Sequence, residues 1–169
     1  MKDTIIKIIF FTVIIAVLSV SCRKEDDKPL MTAKVNGATW TALVRNVSLS
    51  QSQNTFIISG FPTLSQTAAE SIIITVRGNS AGTYTLSAFV DEMSGQCMLV
   101  YKTSNEASVG STSYYNSYSA TVVLSDVNTD KKRISGTFQA ELYPNGNPTE
   151  TKIPITEGKF ENLTYSVIN

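Results

Sequence analysis

Apolar and polar residues alternate in short runs along most of the chain, and turn-forming residues separate these runs. The cleanest run is 133–142, in which Ile134, Phe138 and Leu142 share one face and polar or charged residues occupy the other. A period of two is that of a β-strand with one buried and one solvated face. No long stretch has a helical period, and residues 65–70 are the best candidate for a short helix. The pattern predicts an all-β fold, a single antiparallel β-sandwich or barrel of about nine to ten strands.

The most specific local signal is a hairpin near the start of this β region. Asn36 and Gly37 separate two short alternating segments. A two-residue Asn-Gly loop favours a type I′ turn, because both central residues need a positive φ. The resulting register places Ala33 opposite Trp40. We therefore predict that Trp40, the single tryptophan, is a core residue rather than an exposed ligand-stacking one.

Further strands are predicted where alternating or apolar runs lie between turn residues. Residues 71–77 are almost continuously apolar, which is typical of a strand covered on both faces. In the run 114–125, unbroken alternation places Tyr118 on the same face as Ala120 and Val122. Residues 104–113 are predicted to be the most flexible loop. The other predicted strands are 44–50, 55–61, 83–88, 96–102, 152–156 and 159–167.

Residues 1–22 follow a different pattern. A basic start is followed by an apolar run, 8–18, and by small residues before Cys22. A membrane-spanning helix needs about 20 apolar residues, so this run is too short and predicts a signal peptide over residues 1–21. The end of the run resembles a bacterial lipobox, although Ser19 stands where that motif usually has leucine. The resemblance implies a lipid-modified Cys22 at the mature N-terminus; an ordinary secretory signal and an uncleaved short anchor are the alternatives.

The residues that follow Cys22 predict a tether. Residues 23–28 are all charged and cannot enter a core, so residues 22–30 are interpreted as the lipidated cysteine and a solvated linker. The all-β domain is then 31–169. The charged run also resembles the lipoprotein export signal of Bacteroidota. That resemblance implies a lipid anchor in the bacterial outer membrane, exposed at the cell surface; a plain spacer is the alternative.

Charge and residue usage exclude several classes of function. Without the leader, 12 basic and 13 acidic side chains remain, and no basic patch with interleaved aromatic residues predicts a nucleic-acid partner. Histidine is absent, which removes the usual general base and the Ser-His and Cys-His nucleophile pairs. If Cys22 is acylated, Cys97 has no disulfide partner. Its apolar surroundings predict a buried, inert thiol.

Two short motifs resemble functional loops but lack essential parts. Residues 78–82 read Gly-x-Ser-x-Gly, yet a nucleophile elbow needs a following helix and a histidine, so a glycine-rich hairpin loop is the simpler interpretation. Asp126, Asn128 and Asp130 alternate as in a calcium loop. The rest of the calcium-binding pattern fails, and an Asx-rich turn between strands has the same appearance. The sequence therefore predicts no metal site and no cofactor. Whether this one turn binds calcium stays an open alternative.

Carboxylates and tyrosines supply the remaining candidates. A glycoside hydrolase needs two carboxyl groups across a cleft, and Asp91 with Glu92 or Glu157 with Glu161 are candidate pairs. A contact role is better supported for three tyrosines flanked by serine and asparagine, because such mixtures suit glycan or protein contact. Tyrosine is also simply a good strand residue. The three candidates are Tyr114, Tyr115 and Tyr118.

Four short segments resemble, in their order, the motifs of a family of small Bacteroidota lipoproteins grouped as domain of unknown function 6252. These segments read AKVNGATW from Ala33, GTYTL from Gly82, ISGTF from Ile134 and ITEGKF from Ile155. The resemblance covers about 31–165. It implies an all-β lipoprotein and transfers no catalytic residue.

The sequence therefore predicts a non-enzymatic binding or structural module of the bacterial envelope. Its expected partners are the membrane, through the lipid anchor, and a glycan or protein ligand. Two alternatives stay open. A carboxylate-dependent enzyme of the glycoside hydrolase type needs two acidic side chains in an aromatic-lined groove. A small-ligand carrier needs an open barrel interior.

Overall fold

The computed structural model describes residues 30–62, 70–87, 95–104 and 112–169. The predicted signal peptide, Cys22 and most of the tether lie outside these ranges. So do most of the helix candidate 65–70, most of the loop 104–113 and the candidate pair Asp91 and Glu92. Within the described ranges, no helix is long and apolar enough to cross a membrane.

Eleven strands make up the described chain, and they form one curled sheet with the shape of a half-barrel. The all-β prediction is confirmed. Along the sheet the strand order is β11-β3-β4-β5-β7-β8-β9-β10-β1-β2, and β6 pairs with β8 beside β7. All pairs are antiparallel except β11 with β3. The strands are β1 (Leu30–Val35), β2 (Ala38–Thr41), β3 (Val44–Ser50), β4 (Thr55–Phe61), β5 (Ser71–Arg77), β6 (Gly82–Leu86), β7 (Cys97–Ser104), β8 (Thr112–Asn128), β9 (Arg133–Pro144), β10 (Ile153–Thr164) and β11 (Ser166–Ile168).

The first hairpin has the predicted register. Ala33 pairs with Trp40, and Asn36 and Gly37 have φ values of 50° and 82°, as a type I′ turn requires. Trp40 is 5% exposed, so its predicted place in the core is confirmed. Its ring and the Met31 sulfur occupy the space beside Gly60 of β4, where a Cβ would come within 2.7 Å of either. The hairpin thus packs onto a strand far from it in sheet order.

The core lies on the inner face of the half-barrel. Apolar side chains alternate inward along every long strand, and the largest that are fully buried are Phe56 and Phe160. In β5 this alternation corrects the expectation of cover on both faces. Ile72 and Ile74 are fully buried, but Ile73 between them is only half-buried. The apolar run in β5 therefore reflects one core face and one partly solvated outer face.

Two of the motif segments pair with each other. Gly136 lies opposite Phe160, and Phe138 lies opposite Gly158, because β9 and β10 run antiparallel through two Gly-x-Phe sequences. The two phenylalanine rings stack with centroids 6.2 Å apart. Each ring covers the glycine of the opposite strand, where a Cβ would meet ring atoms of that phenylalanine. Each glycine thus leaves the space that the phenylalanine ring of the opposite strand occupies.

Strand β10 joins two segments that the sequence suggested as separate strands. A register shift, which marks a β-bulge or irregularity, lies between Ile155 and Gly158, between the two segments. The chain continues through it, with Glu157 at φ 51° as the irregular residue. After Tyr165, the short β11 pairs with β3. The chain thus passes from β10, near one end of the strand order, to the strand at the other end.

Candidate functional site

The structure separates the three candidate tyrosines. Tyr115 pairs across strands with Tyr101 on the inner face, and their ring centroids are 6.1 Å apart. Burial, and a hydrogen bond that the Tyr101 hydroxyl donates to Glu70 at 2.7 Å, raise the pKa of Tyr101. Tyr114 is on the opposite, outer face and is 48% exposed. Tyr115 is therefore part of the core periphery, whereas Tyr114 is open to solvent.

A β-bulge turns Tyr118 to the outer face. Ser117 pairs with Leu142 and Ser119 pairs with Glu141, so Tyr118 is an extra residue in β8 with no partner position in β9. The prediction that Tyr118 shares a face with Ala120 and Val122 is wrong, because one inserted residue reverses the alternation on one side of it. Tyr118 instead packs edge-on against Tyr143, with centroids 5.5 Å apart.

Tyr143 was missed by the sequence reasoning, although the alternation of β9 indicates its face. It lies next to the buried Leu142, so it points outward beside Asn116, its partner in β8. We call Tyr118 and Tyr143 the outer tyrosine pair. Bulges often occur beside functional sites, where they redirect a side chain.

A shallow groove of about 500 Å³ begins next to the outer tyrosine pair. Tyr118 directly precedes the lining residue Ser119, and Tyr143 lies two residues beyond the lining residue Glu141 on the same face of β9. Hydroxyl and amide groups dominate the outward-facing lining, together with one carboxylate and one proline. These outward residues are Thr85, Ser87, Ser119, Thr121, Gln139, Glu141, Pro154 and Thr156.

The one carboxylate among the described lining residues of this groove is paired with a lysine. Lys152 donates a hydrogen bond to the Glu141 carboxylate at 2.6 Å. This contact with Glu141 raises the pKa of Lys152, so the lysine stays charged beside it. Among the described residues that line this groove, Glu141 has no second carboxylate beside it.

Glu157 and Glu161, the candidate carboxylate pair that the structure describes, are also bound to lysines. Glu157 accepts a hydrogen bond from Lys34 at 2.7 Å, and Glu161 is 2.6 Å from Lys159. Glu157 lines a second groove, of about 370 Å³, and no other carboxylate lines it. The described residues therefore bring no two carboxylates together across either groove.

A hydrogen bond between a side chain and the backbone stabilises the turn rich in aspartate and asparagine between β8 and β9. The Asn128 side-chain oxygen accepts a hydrogen bond from the Lys131 amide at 2.8 Å, which is an Asx-type turn contact. Asp126 and Asp130 are exposed. Within the described ranges, no three cysteine, aspartate or glutamate side chains cluster as a metal site would require.

The Gly-x-Ser-x-Gly segment is followed by a strand. It connects β5 to β6, but these strands do not pair with each other, so the expected hairpin loop is a connection between separated strands. The Tyr84 ring packs over Gly78, and its hydroxyl donates a hydrogen bond to the Ser80 carbonyl at 2.8 Å. The segment therefore has a structural role in holding the end of β6.

Cys97 is 2% exposed, and its sulfur donates a hydrogen bond to the Tyr84 carbonyl at 3.3 Å. Burial raises the pKa of its thiol from the ordinary 9.0 to about 11. The thiolate, which is the reactive form, is therefore disfavoured in the folded protein.

This pKa shift predicts a loss of stability in alkaline solution. Because the folded state holds Cys97 neutral, its contribution is complete below pH 9 and declines as the pH rises towards 11. We expect the free energy of unfolding to fall more steeply over this interval in the wild type than in Cys97→Ala. Urea unfolding followed by circular dichroism at several pH values measures the difference. Identical slopes in the two proteins would contradict the prediction.

Comparison with known proteins identifies a family. The model described as Domain of unknown function (DUF6252) matches residues 27–164, which is most of the chain. No curated protein and no solved structure matches the chain significantly. The four motif segments all lie within the matched range.

Proposed function

We propose that this chain, which belongs to the Domain of unknown function (DUF6252) family, is a lipid-anchored envelope protein that binds a glycan or protein ligand without catalysis. In this proposal Cys22 carries the lipid and the charged tether holds the domain at the surface of a bacterial outer membrane. The outer tyrosine pair and the adjoining groove form the contact site.

The observation that carries the binding proposal is the bulge in β8. In an unbroken strand, alternation would point Tyr118 into the core with Ala120. The bulge instead places it against Tyr143 on a solvated face, beside a groove lined by hydroxyl and amide groups. Tyrosine contributes a large and rigid contact surface at low entropic cost, and short polar side chains supply adaptable hydrogen bonds.

The arrangement of carboxylates favours binding over hydrolysis. Two-carboxylate glycoside hydrolysis needs a free acid and a free base or nucleophile about 5 to 10 Å apart. Glu141 and Glu157 are each bound to a lysine, and each is the one carboxylate among the described residues that line its groove. A carrier function is also less well supported, because large side chains such as Phe56, Phe160 and Leu142 fill the inner face.

Membrane fractionation tests the anchor. We expect Cys22→Ala to move from the membrane fraction to the soluble fraction, while Cys97→Ala, the matched variant of the other cysteine, stays with the membrane. Protease treatment of intact cells should degrade the wild type if the domain faces outward. A Cys22→Ala protein that remains in the membrane would overturn the lipoprotein proposal, and a protected wild type would overturn surface exposure.

A further inference from the structure

The groove beside the outer tyrosine pair continues into the second groove. Both are lined by Thr121 and Gln139, which pair with each other across β8 and β9. The second groove extends to Thr137 and its β10 partner Lys159. The outward side chains of β9 thus form one row from Tyr143 to Thr137. Six residue-to-residue steps at the rise of a strand make this row about 20 Å long.

The charges along this row are cancelled in pairs. In the part of the chain that the structure describes, the charged lining residues are Glu141, Glu157 and Lys159, and each lies within 2.7 Å of an opposite charge. A site for a polyanion would instead present unpaired cations. The described groups left to meet a ligand are hydroxyls, amides, proline, the Val123 side chain and the tyrosine rings.

From this chemistry we infer that the two grooves are consecutive subsites for an uncharged, linear oligosaccharide that lies along β9. This inference rests on the proposed binding function and narrows its ligand class. Sugar hydroxyls both donate and accept hydrogen bonds, as do the Thr and Gln side chains of the row. The apolar face of a sugar ring can stack on the outer tyrosine pair. A single sugar would leave most of the 20 Å row empty, so affinity should rise with chain length.

Calorimetric titration of the detergent-solubilised full chain with neutral linear oligosaccharides tests the inference. The panel runs from monosaccharide to hexasaccharide in several linkage types, with anionic oligosaccharides of the same lengths for comparison. We expect binding of at least one neutral series, with affinity that increases with length and does not change between low and high salt.

Three variants locate the site. Tyr143→Ala should weaken binding about tenfold, and Gln139→Ala, at the junction of the grooves, about three- to tenfold. Thr75→Ala is the matched control, because Thr75 lies half-buried on the outer face of β5, outside both grooves. All three should keep the wild-type unfolding midpoint.

Several results would overturn the inference. These are no binding to any neutral series, affinity independent of length, preference for anionic chains, or equal losses in Thr75→Ala and Gln139→Ala. Capture of a protein ligand that Tyr143→Ala abolishes would overturn the oligosaccharide inference and leave the proposed binding function standing. If neither oligosaccharide nor protein depends on Tyr143, the proposed function fails as well.

Discussion

Gly136→Ala is expected to destabilise the domain by about 3 kcal/mol or more, at the upper end of what overpacking costs. A Cβ at this position would meet the Val123 carbonyl oxygen of the neighbouring strand and, at 2.6 Å, the ring of Phe160. Phe160 is fully buried and stacks on Phe138, so it has no free space into which to move. The backbone carbonyl cannot move without disturbing the β8–β9 ladder. Urea unfolding followed by circular dichroism measures the loss.

Gly82→Ala is the matched control for this prediction. Gly82 also lies in a strand, but the nearest atom that a Cβ would meet there belongs to Tyr84 at 3.8 Å, which is an ordinary contact. We expect its free energy of unfolding to change by less than about 1 kcal/mol. Gly158→Ala should resemble Gly136→Ala, because its Cβ would meet the Phe138 carbonyl and ring. If both core glycines accept alanine as easily as Gly82 does, the proposed packing of the two Gly-x-Phe sequences is wrong.

Trp40→Ala is expected to cost about 3 to 5 kcal/mol, the usual range for removing a large buried aromatic side chain. The ring fills the space over Gly60 between the first hairpin and β4, so its removal separates two parts of the sheet that are distant in strand order. Chemical unfolding followed by circular dichroism is the appropriate measurement, since the variant has no tryptophan fluorescence.

Trp40→Phe should be much less harmful than Trp40→Ala. The indole nitrogen of Trp40 is buried and has no hydrogen-bond partner among the residues that the structure describes. An unpaired buried donor costs about 1 to 3 kcal/mol, and phenylalanine removes that donor while keeping most of the ring. Tyr114→Ala, at an exposed aromatic residue, should leave stability nearly unchanged. Equal destabilisation by the two Trp40 variants would mean that the indole nitrogen contributes a favourable contact.

The two Gly-x-Phe sequences connect stability to the proposed site. They align β9 against β10 on the inner face, and the outward residues of the same strands line both grooves. A one-residue slip in this pairing would exchange the inner and outer faces of β10. The packing of Phe138 and Phe160 therefore helps to keep the β10 residues Pro154 and Thr156 in the groove.

Sequence alone determined the features that depend on neighbours in the chain. The Asn36-Gly37 turn sets its own hairpin register, because few other residues adopt two positive φ values in succession. Alternation in 133–142 predicts the buried face of β9. The same alternation, continued by one residue, predicts that Tyr143 points outward. Burial of Trp40 followed from the hairpin register that places it opposite Ala33, and burial of Cys97 followed from its apolar neighbours.

Only the tertiary structure decided the features that depend on pairing between distant segments. The bulge that redirects Tyr118 is visible only as a mismatch between β8 and β9, and one extra residue reverses a period of two. The match of Gly136 with Phe160 joins residues far apart in sequence, and so does the continuity of the two grooves through Thr121 and Gln139. Local alternation predicts which face a residue occupies only in a strand without bulges. The register of pairing with the neighbouring strand determines whether a bulge is present and which side chains come into contact on each face.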